Sequence, residues 1–190
     1  MSFDDLFICD PQMIPHQDEV ERIWDFCKLE AQATFGERSV DLPSVLRLRD
    51  TPSYPETVRK HDVIVVHLTT KRSRTGYLFE AAHEAVHWLD HIRNDDGESY
   101  LLEGIAVAFS IRMVARHWGE EARAKQTLLP KYQRAWALAA SVDTDAVRLG
   151  RRLRLSQDSL VNIKPQAILE HYPEVPEAIV MKALEVFPRS

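Results

Sequence analysis

Apolar residues recur at three- and four-residue steps from Gln17 to about Phe35, at Val20, Ile23, Trp24, Phe26, Cys27 and Ala31, and Gly36 follows as a stop. That period lays one apolar stripe along a helix. The pattern then changes. Val45 to Arg49 alternates apolar and basic residues, as a half-exposed strand does, and Asp62 to Thr70 holds four consecutive β-branched apolar residues, as a buried strand does. Two strands are expected, joined by the loop that holds Pro52 and Pro55.

Lys71 to Gly76 reads as a basic turn, after which a long helix starts near Tyr77 and runs to about Arg93. Asn94 to Gly97 supply a turn, and Ser99 can cap a second apolar helix from Tyr100 to roughly His117. Two helices joined in this way form a hairpin. Beyond Glu120 the pattern stays helical, punctuated by Gly150 and Pro165, and closes with a helix from about Glu174 to Phe187. The expected class is α+β, a small sheet near the front and a mostly helical C-terminal half. A length of 190 residues suits one domain spanning 1–190. Within it, 1–76 carries the first helix and strands, 77–117 the helix pair and 118–190 the remaining helices.

Hydrophobic residues at 45% and charged residues at 28% are the usage of a folded, water-soluble protein. A net charge of −5 recommends neither nucleic acid nor an anionic membrane as partner. No apolar run approaches the roughly 20 residues that span a bilayer. The first residues place acids where a secretory signal carries basic ones, so an export signal is not expected. Cys9 and Cys27 are too few for a secreted disulfide scaffold and read as buried free thiols, which makes the cytoplasm the expected location.

The chemistry concentrates in Phe79 to His91, FEAAHEAVHWLDH, which contains HExxH at His83, Glu84 and His87. At about 100° and 1.5 Å per residue, His83 and His87 stand one turn apart on the same face, so their imidazoles can converge on one ion. Glu84 sits beside them, within reach of a water on that ion. Glu80, Glu84, His87, Asp90 and His91 share this face, while Ala82, Ala85, Val86, Leu89 and Ile92 gather behind it. A catalytic zinc takes three protein ligands and keeps one position open. Farther on, Glu103 is the lone acid of the apolar segment LLEGIAVAF, a costly place for a carboxylate that is neither paired nor bound to a metal.

HEAVH followed by LLEGIA resembles the gluzincin group of zinc metallopeptidases, over about Asp62 to Arg112. The resemblance implies a zincin-like fold, one zinc ion held by His83, His87 and Glu103, and Glu84 as general base in the hydrolysis of a peptide or protein substrate. It also implies a tyrosine or histidine that steadies the oxyanion, for which Tyr100, His117, Tyr132 and His171 all qualify. The metzincin variant needs a histidine at position 93, where Arg93 stands. A second reading keeps the zincin frame without turnover, the zinc serving as a structural staple and the helical half as a docking surface. A third takes HEAVH as the polar face of a metal-free helical module.

Several neighbouring residues have plainer readings. A fourth protein ligand closes the site to water, so His91 is expected in the outer shell or in solvent. Asp90 either bonds a ligand histidine or lies on the surface. The basic runs at Lys71, Arg72 and Arg74 and at Arg148, Arg151, Arg152 and Arg154 read as solvated faces. Trp88 and Trp136 read as packing aromatics, and Val45 to Arg49 as the sheet edge better suited to an extended substrate.

Overall fold

The computed structural model describes residues 4–39, 41–50, 55–90, 97–126 and 128–188. After a short 3-10 turn at Asp4–Phe7, helix α1 runs over Gln17–Phe35 and buries all six residues the periodicity selects, Val20, Ile23, Trp24, Phe26, Cys27 and Ala31, together with Glu19 and Phe35. Strands β1 (Ser44–Arg49), β2 (Glu56–Lys60) and β3 (Val63–Thr69) form one sheet in the order β1-β3-β2. β3 runs parallel to β1, with Leu46 opposite Val66, and antiparallel to β2, with Val58 opposite Val65.

The expected buried strand is therefore central, flanked by one strand that alternation reveals and one that it does not. β2 reads Glu-Thr-Val-Arg-Lys and no residue of it is fully buried, so it carries no apolar period. A polar strand is what a protected sheet edge requires. His61, at φ 56°, makes the tight return between β2 and β3.

Helices α2 (Arg74–Leu89) and α3 (Tyr100–Trp118) are the expected pair, capped at their starts by Ser73 and Ser99. The Ser73 hydroxyl accepts from the Gly76 N–H and the Ser99 hydroxyl from the Leu102 N–H, each answering a donor that the helix leaves open. α2 thus begins three residues before Tyr77, inside the segment read as a turn, and it ends at Leu89. Residues 91–96, with His91, Arg93 and most of the expected turn, lie outside the described residues.

Helices α4 (Glu121–Gln126), α5 (Pro130–Val142), α6 (Ala146–Gln157), α7 (Pro165–His171) and α8 (Glu177–Ala183) complete the C-terminal half. The class is α+β. The last helix is shorter than expected because the chain after it pairs with the start of α3. Tyr100 N–H donates to the Glu185 carbonyl at 3.0 Å and Phe187 N–H to the Glu98 carbonyl at 2.6 Å.

The buried side chains of α1, β3, α2, α3 and the later helices form one continuous core. α3 and α5 approach closely because Gly104 has no side chain: a Cβ there would stand 2.3 Å from the Ala135 carbonyl oxygen. No helix among the described residues is long and apolar enough to cross a membrane. Cys27 is buried as expected, whereas Cys9 is exposed, and no disulfide joins them.

Candidate metal centre

α2 is buried nearly all round, between α1 on one side and the sheet and α3 on others, so its ionisable face opens onto other elements instead of solvent. His83, Glu84 and His87 are 6%, 2% and 2% exposed, and Glu103 on α3 is 3% exposed. The two histidines direct Nε2 atoms at each other, 3.1 Å apart. Glu103 faces both, with Oε2 3.3 Å from His83 Nε2 and Oε1 3.5 Å from His87 Nε2. Atoms held about 2.0–2.2 Å from a tetrahedral ion stand roughly 3.3–3.6 Å from one another; the two histidine–glutamate spacings fall in that range and the 3.1 Å between the imidazole nitrogens lies just below it.

Burial makes this arrangement expensive without a cation. It lowers the His83 pKa to about 4, against the upward pull of the Glu98 and Glu80 carboxylates, so the imidazole is neutral and offers a lone pair. Burial also raises Glu103 well above the usual carboxylate range, and its Oε2 has no hydrogen-bond partner. An orphaned carboxylate oxygen beside two imidazoles is a donor set that accepts a metal ion. His83, His87 and Glu103 form a buried group able to hold one.

Glu84, next to His83 on α2, also reaches the sheet. Its Oε2 accepts a 2.7 Å hydrogen bond from the Thr57 hydroxyl on β2, and burial raises its pKa well above the ordinary value, with Thr57 pulling the other way. The sheet edge that meets the motif helix is thus β2, whereas the alternating pattern had favoured β1. Glu98, one residue before the cap of α3, brings Oε1 to 3.5 Å from His87 Nδ1, in ion-pair range but short of a hydrogen bond. Thr57 carries no sequence signal, being one polar residue in a polar strand; Glu98 carries a weak one, an acid beside the Ser99 cap.

The chain matches no family model, no curated protein and no solved structure.

A cleft of about 570 Å³ leads to His83 between the first turns of α2 and the segment from α4 to α5. Tyr132 lines it and sets its ring edge-on to His83, with centroids 5.7 Å apart. The other residues weighed for the oxyanion do not line this cleft. Tyr100 packs on Phe187, His117 stacks on Phe7 at 4.0 Å, and His171 lines a separate hollow with Tyr172.

Asp90 is neither a histidine partner nor a surface residue. It is 1% exposed and accepts from Arg154 and from the Leu160 N–H, so one member of the second basic run is the buried counterion of an aspartate. Arg148 likewise pairs with Asp143, and in the first run Arg74 pairs with buried Glu19 and Arg72 with Glu80. Arg74 and Arg154 are buried in the framework, whereas Lys71, Arg72, Arg148, Arg151 and Arg152 are exposed, as read. Trp88 is buried beneath the Arg38 guanidinium and Trp136 packs against the core, as read.

Proposed function

We propose that this protein is a zinc-dependent metallopeptidase of gluzincin type with a zincin-like fold, holding one zinc ion through His83, His87 and Glu103. The observation that carries the reading is the convergence of those three side chains, at 3.1–3.5 Å, on one dry point beside Glu84. Two imidazoles and one carboxylate are a donor set suited to zinc, and three protein ligands leave a position open for chemistry. When bound, the ion supplies Lewis acidity and brings a coordinated water to a pKa of about 7.

Glu84 takes the proton from the attacking water and delivers it to the leaving amine nitrogen. Burial suits the carboxylate to this exchange by raising its affinity for a proton, and the Thr57 hydroxyl holds it in one orientation. The Glu98 carboxylate orients His87 through Nδ1. Tyr132, beside His83, supplies the hydroxyl that steadies the oxyanion. The exposed edge of β2 offers backbone pairing to an extended substrate. The thiols of Cys9 and Cys27, which no disulfide joins, suit a reducing compartment, which supports a cytoplasmic location.

The test is cleavage of an unstructured protein substrate by the zinc-loaded chain, with Glu84→Gln as control. Glu84→Gln is expected to keep its zinc and lose roughly 10²–10⁴ in turnover. An active Glu84→Gln chain overturns the assignment of the base. A wild type that binds zinc and cleaves nothing leaves the ion as a structural staple.

A further inference from the structure

The cleft has two chemically distinct ends. Near His83 its walls are apolar: Phe79 on α2, and Ala124, Leu128 and Leu129 across from it. At the far end stands Lys71, exposed, with the first turn of α2 between it and the apolar walls, while the exposed Arg72 folds back along that turn to Glu80. That turn is the positive end of a 16-residue helix. Its leading N–H groups are already taken by the Met13 and Pro11 carbonyls and by the Ser73 hydroxyl, so it contributes field and not hydrogen bonds.

Glu80 is the one acid in the lining, and its charge is answered locally. One oxygen accepts from Arg72 Nε and the other from the Thr69 N–H, both at 2.9 Å. Lys71 therefore leaves the far lip with surplus positive charge, in a chain whose net charge is −5. Lys71 also holds the left-handed conformation, φ 59°, which a lysine adopts only where its surroundings impose it.

Gly76 and His83 are seven residues apart on α2, or about 10 Å along its axis, and Lys71 lies beyond Gly76, whereas the Arg72 side chain turns back along Gly76 to Glu80. An extended peptide covers about 3.3 Å per residue, so the lip is three to four substrate residues from the metal ligands. Resting on the peptidase reading above, we propose that the cleft selects peptides with an apolar side chain near the bond cut and a carboxylate side chain about three to four residues away.

The experiment measures binding, so that it does not depend on turnover. Zinc-loaded Glu84→Gln chain is titrated calorimetrically with acetylated, amidated alanine–leucine peptides carrying one aspartate at successive distances from the leucine. Asparagine peptides serve as partners. The aspartate peptide with the three-to-four-residue spacing is expected to bind roughly threefold to tenfold tighter than its asparagine partner. Lys71→Glu is expected to erase or reverse that preference and Arg72→Gln to reduce it, with circular dichroism unchanged. Equal binding at every spacing, a preference that survives Lys71→Glu, or no peptide binding overturns the proposal. An asparagine peptide with a free terminal carboxylate separates the two sources of negative charge, and a preference for that peptide alone also overturns it. Incubation with the wild type separates the two readings. Charge-selective binding without cleavage keeps the cleft and removes the peptidase; cleavage indifferent to the aspartate does the reverse.

Discussion

His83, Glu84 and His87 stand out by spacing, but each also has a neighbour that spacing does not reveal. Glu103 was legible because a carboxylate in an apolar helix demands a counter-charge, and the structure sets it within 3.5 Å of both histidines. Glu98 and Thr57 were not legible, since their roles arise from contacts between elements that no local pattern encodes. The same reason misplaces Asp90, which reads as a histidine partner or a surface group, and Arg154, which reads as a solvated one; they are each other's buried counterions. Glu98→Gln is expected to weaken zinc affinity about 10–100-fold while leaving the fold intact, measured by competition with a chromophoric chelator. Unchanged affinity removes Glu98 from the support of His87.

At the scale of elements, α1, β3 and the α2–α3 pair follow from hydrophobic period and serine caps, because their burial is one-sided or complete and so leaves a pattern. β2 escapes such reading because an exposed edge is built from polar residues, and α8 falls short of its expected length because its tail pairs with Glu98 and Tyr100. The close seating of α5 on α3 depends on Gly104, adjacent to Glu103. Gly104→Ala forces a Cβ against the Ala135 carbonyl and is expected to cost about 1–3 kcal/mol, with weakened zinc binding, in thermal unfolding followed with and without the metal. The sheet adds a pH dependence. Burial first, and then the Arg49 guanidinium 2.8 Å away, lower the pKa of His67 on β3 to about 4 from an ordinary 6.5. The unfolded chain takes up this proton near pH 6.5 and the folded chain resists it until about pH 4. Stability from this residue is therefore complete above pH 6.5 and declines as pH falls toward 4. Denaturation midpoints across that window are expected to fall less steeply for His67→Gln than for the wild type.

At the scale of the molecule, one continuous core runs from α1 through the sheet to the last helices, and none of His83, His87 and Glu103 is among its apolar members. Chelation is accordingly expected to leave the helical circular dichroism in place while lowering Tm. Zinc at a thousand times its Kd adds about 4 kcal/mol, on the order of ten degrees for a chain of this size. Collapse of the fold on chelation points instead to a structural ion. The central claim is that His83, His87 and Glu103 together hold a single ion, and metal content by mass spectrometry tests it most directly, on wild type and Glu103→Ala after dialysis against metal-free buffer. One zinc per chain in the wild type and a sharply reduced content in Glu103→Ala is the predicted result. No bound metal in the wild type, and none taken up when zinc is offered, contradicts the account.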